Sequence, residues 1–274
     1  MNSLPWVLVP SSSQLLEDDE RSVLEDVLQG RVSETLAGIP QDALVFTRFR
    51  SIPFGKELEA DIRQHGCEPV NSYRQHRNIA DLFTWVKLLE GLTAPAFTID
   101  DMPYLPEGEY FVKGETNSLK NRWFQACYVP EKSELMNVVR NVQDDMYVGE
   151  QRVVIRPFRN FRRVGEMVDG RPVFNERRFF VLDGCVVSEG FYWSPWSIDF
   201  GEPDVIDRKK LDATLSEVIS RVQHLARFMV IDMAEFEDGS WEVVELNDGN
   251  MSGLCDNDPF VLWSGVGEVL GDCG

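Results

Sequence analysis

The pattern of apolar and polar positions divides the chain into two textures. In the first third, short apolar runs alternate with stretches whose apolar residues recur every three or four positions. "WVLVP" (Trp6–Pro10) and "ALVFTRF" (Ala43–Phe49) read as strands. "QLLEDDERSVLEDVLQG" sets Leu15, Val23, Val27 and Leu28 at helical spacing before Gly30, and "FGKELEADIRQHG" reads as a second helix closed by Gly66. This alternation predicts parallel strands joined by helical crossovers. "NIADLFTWVKLLEG" predicts one further helix, with Ile79, Leu82, Phe83, Val86 and Leu89 on one face and Gly91 beyond its end. The Pro-rich "LTAPAFTIDDMPYLPEG" marks a boundary.

From Tyr110 the texture changes to strands joined by turns: "EYFVKG", "FQACYV", "RVVIRPF" and "RRFFVLDGCVVSEGFYW". In the last of these, "LDG" predicts a tight hairpin, because Asp-Gly tolerates the positive φ that such turns require. A long helix is expected from about Asp207, striped by Leu211, Leu215, Val218, Ile219, Val222, Leu225, Ala226 and Met229. "FMVIDMAEFEDGSWEVVEL" predicts a second hairpin turning at "EDGS". The C-terminal "GVGEVLG" reads as a terminal turn, since no βαβ unit follows its glycines. There is no internal repeat.

Composition narrows the class. A chain of 274 residues, 43% hydrophobic and 11% aromatic, buries a sizeable core. No apolar run approaches the ~18 residues of a membrane helix, and "MNSLPWVLVPSSS" has no basic leader, so a soluble, cytoplasmic protein without a membrane partner is expected. Five scattered cysteines without a CxxC pair suggest neither a disulfide framework nor a zinc knuckle. A net charge of −19 argues against nucleic acid as a partner. Eight of the 27 basic residues nevertheless lie between Arg152 and Arg178, suited either to an anionic ligand or to ion pairing with the acidic remainder.

Candidate chemistry starts at "VVELNDGNMSG" (Val243–Gly253). Alternate strand residues share a face, so Glu245 and Asn247 point one way while Val244 and Leu246 point the other. The preceding hairpin strand brings Asp232 within reach. Two carboxylates and a carboxamide form an all-oxygen set suited to Mg²⁺, which takes few protein ligands and fills its shell with water and phosphate. The plain alternative is a strand end facing water. No G-x-x-x-x-G-K-[ST] loop is present, so phosphate would need cationic side chains. Lys113 ends an apolar strand, Lys120 follows a polar turn, and Arg156 and Arg178 sit among apolar strand neighbours; each is also suited to a structural ion pair.

The order of Lys113, "VVIRPF", "ERRFFVLDGCVV", "FMVIDMA" and "WEVVELNDG" resembles the ATP-grasp superfamily, most closely its clade of small, divergent phage and bacterial members named for two arginines and a lysine. The resemblance spans roughly residues 71 to 255. It implies an α/β fold of the α+β grasp kind: an open α/β domain (residues 1–92), a small subdomain (93–150) and a C-terminal subdomain carrying the metal (151–274), with ATP sandwiched between the last two. Carried over by residue, it implies Mg²⁺ on Asp232, Glu245 and Asn247. Lys113 and Lys120 become the nucleotide lysines, Arg178 the phosphate-side arginine and Arg156 a further polar contact. Adenine would lie against the backbone of the linking strand, from Val154 and Ile155 to Phe158, and catalysis would rest on Arg178 and Lys120. The one-glycine "GETNSLKN" departs from the family's glycine-rich phosphate loop and shifts more of that work to Lys120.

The implied reaction is ATP-dependent ligation, in which a small-molecule or peptide carboxylate becomes an acyl phosphate that an amine displaces. The alternative is an ATP-binding assembly chaperone or adaptor of the same fold without turnover. No side-chain nucleophile is needed, which suits a chain whose His65, His76 and His224 form no triad. "FYWSPWSIDF" offers Tyr192, Trp193 and Trp196 as a pocket wall or lid, or as a hydrophobic plug. "DGNMSGL" is either an acceptor-facing loop or a plain turn, and Arg159, Arg162 and Arg163 either recruit an acidic substrate or decorate a solvated loop.

Overall fold

A computed structural model describes residues 4–10, 18–49, 54–193 and 206–272. Strands β1 (Trp6–Leu8), β2 (Val32–Ser33), β3 (Leu44–Thr47) and β4 (Glu68–Pro69) form a sheet in the order β2-β1-β3-β4, parallel throughout. Helices α1 (Asp18–Val27) and α2 (Gly55–Gln64) supply crossovers, as the alternating texture predicts. Leu15 lies outside the described residues; Leu28, just past the helix end, is buried as its spacing implies, and within the helix Leu24 is buried more deeply than Val23 or Val27.

The single helix expected over "NIADLFTWVKLLEG" is two: α3 (Tyr73–Ala80) and α4 (Leu82–Trp85). Asp81 separates them with extended backbone, and its carboxylate accepts the Phe83 N–H at 3.0 Å, competing with helix continuation. A capping box between Ser72 and Gln75 starts α3 earlier than the apolar spacing suggested.

A small antiparallel sheet, β6-β5-β7, follows, built from β5 (Tyr110–Gly114), β6 (Tyr128–Val129) and β7 (Val153–Pro157). The strand expected over "FQACYV" is mostly a helical turn, α5 (Trp123–Ala126), because Trp123 and Ala126 are buried three residues apart while Phe124 faces out. Helix α6 (Leu135–Gln143) buries Leu135, Val138, Val139 and Val142 against the small sheet. The 150/151 boundary falls between β5 and its partner β7, so this sheet extends to Pro157.

A short hairpin, β8 (Arg163–Glu166) and β9 (Pro172–Phe174), precedes a four-stranded antiparallel sheet. That sheet runs β11-β10-β12-β13, from β10 (Glu176–Leu182), β11 (Cys185–Phe191), β12 (Phe228–Glu235) and β13 (Trp241–Asp248). The "LDG" turn has positive φ at Asp183 and Gly184, as a tight hairpin needs. Helix α7 (Arg208–Val222) covers one face; its stripe ends at Val222, and Met229 belongs to β12. Ile79, Leu82 and Trp85 join that same core.

The other face packs on the N-terminal sheet, where Val7, Leu24 and Phe46 meet Phe180 and Phe228. Into this second core the chain's C-terminal segment also folds. "GVGEVLG" is not a turn but the end of helix α8 (Pro259–Asp272). Asp258 accepts the Phe260 N–H at 2.7 Å, Pro259 fills the first helical position, and Leu262, Trp263 and Val266 are buried. At Gly265 a side chain would meet the Val187 carbonyl oxygen at 2.8 Å, so glycine is what lets the helix lie on β11. No helix among the described residues is long and apolar enough to cross a membrane.

Candidate active site

Pairing across the large sheet sets Arg178 of β10 opposite Asp232 of β12, and Asp232 opposite Glu245 of β13, so the three stand in one row on one face. Arg178 grips Asp232 with both arms of its fork, Nε to Oδ1 at 2.9 Å and Nη2 to Oδ2 at 2.8 Å. Its remaining arm donates to the Gly253 carbonyl at 2.8 Å. Opposite Arg178 on β11 is Gly190, where a side chain would strike the Asp256 and Asn257 backbone at 2.4 Å. This glycine therefore admits the chain after Asn247 to the row.

From the small sheet, Phe111, Lys113, Val154 and Arg156 share the face turned toward the large one, since Phe111 pairs with Arg156 and Lys113 with Val154. Lys113 forms an ion pair with Glu245 across the gap. Burial opposes charge on Glu245, but Lys113 and Lys120 outweigh it and hold the carboxyl at about 2. Asn247 donates to the same carboxylate. Lys120 donates to the Tyr192 hydroxyl at 2.8 Å. Burial would lower its pKa, yet Tyr192, Glu176 and Glu245 raise it, so Lys120 is a fixed cation.

These groups line two clefts that share Ser118, Lys120, Trp193 and Glu245. The first, of about 740 Å³, lies between the sheets and is walled by Phe111, Trp123, Phe158, Phe161 and Phe174, with Lys113, Arg156 and Glu176 as polar points. The second, of about 1140 Å³, is lined by Asn117, Arg178, Tyr192, Asn247, Ser252 and Gly253. An aromatic slot leading to a cationic, amide-rich chamber suits a flat ring joined to a polyanion.

The other expected site residues are placed as follows. Ile155 points away from the clefts into the small-sheet core, and Val154 is buried beneath them. Backbone donors of the linking strand are committed: Ile155 N–H to Phe97 at 2.9 Å and Phe158 N–H to Glu109 at 2.9 Å, while Pro157 has none. Arg156 lines the first cleft, but it donates to the carbonyls of Val244 (2.8 Å) and Ala94 (2.8 Å) and to Thr93 Oγ1 (2.7 Å). Burial pushes it down to about 10; its two terminal nitrogens tie β7 to β13 and to the Thr93–Ala94 segment, and its Nε has no hydrogen-bond partner among the described residues. Arg159 and Arg162 pair with Glu242 and Glu235, and Arg163 with Glu166. Within "FYWSPWSIDF", Tyr192 and Trp193 line the clefts, and Trp196 lies outside the described residues.

Two residues escaped sequence reasoning. Glu176 sits two positions before Arg178 on the same strand, is 4% exposed, and leaves one carboxyl oxygen without a hydrogen bond. Burial, only partly offset by Lys120, pushes it up to about 7. Its place in "NERRFF" is the only hint, an acidic residue entering an apolar strand. The second is Arg48, fully buried beyond β3, which pairs with Glu20 at 2.9 Å. Arg48 also donates to the carbonyls of Gly249 (2.9 Å), Asn250 (3.3 Å) and Ser252 (2.8 Å), fixing the loop after Asn247.

Residues 101–266, more than half of the chain, match the model of an ATP-grasp domain family, the third family of the clade named for two arginines and a lysine. The chain belongs to this ATP-grasp family. Its α+β architecture is the ATP-grasp fold, and solved structures agree. A D-cycloserine synthetase, DcsG, is similar with a TM-score of 0.62 at 14% identity, covering 97% of this chain and 99% of that one. The D-alanine–D-alanine ligase of Bacillus anthracis, complexed with ATP, gives 0.62 at 12% identity, covering 98% and 96%. The ATP-grasp ligase PsnB, complexed with its precursor peptide PsnA2 and AMPPNP, gives 0.57 at 13% identity, covering 99% and 97%. No curated protein matches the chain in sequence.

The ATP-grasp metal was expected on Asp232, Glu245 and Asn247. Glu245 and Asn247 face the second cleft and fit a hard cation, whereas both oxygens of the fully buried Asp232 are taken by Arg178. Among the described residues no three His, Cys, Asp or Glu side chains gather as a metal site. One ionised carboxylate, Glu245, beside a carboxamide is still within what Mg²⁺ accepts when phosphates complete its shell.

Proposed function

We propose that the chain is an ATP-dependent ligase that joins a carboxylate to an amine. The observation that carries this reading is Glu245, ionised at neutral pH, standing where the two clefts meet and faced by Lys113 and Lys120. The aromatic cleft takes the adenosine half and the second cleft takes the phosphates and the acceptor. The three similar structures, two amino-acid-type synthetases and a ligase seen with a precursor peptide, favour a small-molecule or peptide carboxylate.

Each residue then has a physical task. Lys113, Lys120 and Arg178 bind the polyphosphate and keep its terminal phosphorus in line with the incoming carboxylate. The carboxylate oxygen bonds to that phosphorus as the bridge to ADP breaks. The amine then bonds to the acyl carbon as inorganic phosphate leaves, and the ammonium proton passes to solvent. Mg²⁺, when bound by Glu245 and Asn247, supplies charge neutralisation on phosphate oxygens. Asp232 keeps Arg178 aimed rather than binding metal directly. We further propose the three-part organisation expected from sequence, with the small subdomain carried on to Pro157.

Mg-ATP at about a hundred times its dissociation constant should stabilise the protein by about 2.7 kcal/mol, read as a thermal shift. Incubation with Mg-ATP and pools of carboxylates and amines, following ADP and phosphate, should reveal turnover only with a specific pair. Nucleotide binding without turnover over every pair would instead fit an assembly adaptor, and no thermal shift would remove the nucleotide reading.

A further inference from the structure

A phosphate loop ordinarily offers free backbone N–H groups. The loop after β5 offers few. The Gln151 Oε1 atom accepts the Thr116 N–H at 3.1 Å, the Thr116 hydroxyl at 3.0 Å and the Asn117 N–H at 3.3 Å. The Gly114 N–H closes on the Asn117 carbonyl at 2.9 Å. These amides are turned inward, so cationic side chains must hold phosphate, and such side chains need a rigid support.

One side chain touches both candidates. The Tyr192 hydroxyl accepts from Lys120 Nζ at 2.8 Å, and the ammonium lies 4.4 Å from the Tyr192 ring centre. The Arg178 guanidinium lies 4.9 Å from the same ring. Trp193 stands 5.6 Å from the ammonium, and the Lys120 carbonyl is pinned by Arg171 at 2.7 Å. The Tyr192 N–H is itself fixed on the Glu176 carbonyl at 2.9 Å. A single aromatic ring thus gathers two cations that would otherwise repel.

We propose that Tyr192 does the work of the missing glycine-rich loop: it is the positioning residue that sets Lys120 and Arg178 side by side for the terminal phosphates of a nucleotide. The inference rests on the Mg-ATP reading above. It requires that loss of the ring weaken binding of a triphosphate far more than of a monophosphate, because adenosine is held in the other cleft.

The test is calorimetric titration of the wild-type chain, Tyr192→Phe and Tyr192→Leu with Mg-AMPPNP and with AMP, after checking the melting temperature of each without ligand. Tyr192→Leu should weaken Mg-AMPPNP about tenfold while AMP changes less than about twofold, and Tyr192→Phe, which keeps the ring but not the hydroxyl, should fall between. If the leucine variant does not fold, the phenylalanine variant decides by the same ratio. Unchanged Mg-AMPPNP affinity, or equal losses for both nucleotides, overturns the role of Tyr192. Absence of Mg-AMPPNP binding by the wild-type chain overturns the nucleotide reading itself.

Discussion

Two loops flank the second cleft, and their backbones are held by opposite means. The loop after β5 is closed by a neutral side chain, Gln151, whose single oxygen collects two N–H groups and a hydroxyl near the surface. The loop after β13 is closed by a charged one, Arg48, which collects three carbonyls in the interior and is neutralised there by Glu20. The difference follows from burial. A half-exposed loop needs only modest hydrogen bonds because water satisfies the rest, whereas a buried cluster of carbonyls needs donors in number, and a buried guanidinium then needs a counter-charge.

Breaking the buried clasp should have the largest effect. Arg48→Leu removes the guanidinium that pairs with Glu20 and clasps three buried carbonyls, and should cost about 3–5 kcal/mol of stability, measured by denaturant unfolding. Glu20→Gln should cost less, since the carboxamide still accepts from Arg48 and from Trp263 Nε1 at 3.1 Å. Equal stability of Arg48→Leu and wild type would show that the contrast between the loops is not one of burial.

Between the loops, Glu245→Gln should weaken Mg-ATP by about 1.5–3 kcal/mol, the scale of a hydrogen bond to a charged group, with little loss of fold. Titration calorimetry checks this, and undiminished affinity would remove Glu245 from the metal site.

pH sharpens the contrast next, because Glu245 and Glu176 shift in opposite directions. Glu176 rises from 4.5 to about 7, so the folded state holds its proton more firmly than the unfolded chain. Stability from this group is full below about 4.5 and is lost as pH rises through 7. Glu245 falls from 4.5 to about 2, so its contribution is present above 4.5 and is lost on acidification toward 2. Glu176→Gln should flatten the decline between pH 4.5 and 7, followed by urea midpoints. A steeper decline in that variant would contradict the sign. The smallest effect belongs to the neutral loop. Gln151→Ala should cost about 1 kcal/mol, because water replaces the carboxamide at Thr116 and Asn117. A loss as large as that of Arg48→Leu would erase the distinction.

Much of the architecture is legible in residue pattern. Apolar runs mark β10 and β12, alternation marks the end of β13, "LDG" marks the turn after β10, and a strand ending in Glu-x-Asn singles out the edge of the site. What pattern does not carry is commitment. Asp232 looks like a metal ligand by type and spacing, yet its oxygens face Arg178, a partner 54 positions away. Arg156 looks like a ligand contact, yet its two terminal nitrogens are engaged by acceptors in two distant segments, Thr93–Ala94 and Val244. Arg48 and Glu20 sit in segments that read as ordinary strand and helix, because a buried ion pair leaves no local signal. Helix α8 is masked by glycines that read as a turn, of which Gly265 instead serves close packing against β11. "NDP" before its first turn was the overlooked cap.

The helix at the C-terminal end of the described chain bears on how the protein is made. Trp263 and Glu20 touch across 243 positions, and α8 helps complete the core that β1 and α1 begin. A ribosome moves at about 5–20 residues per second, so the N-terminal strands wait roughly ten seconds or more for their last partner. During that interval Val7, Leu24 and Phe46 lack Leu262, Trp263 and Val266 as cover. The nascent chain is therefore the state most exposed to chaperones and proteases, and interruption of synthesis before Trp263 should leave a product that is degraded rather than stored.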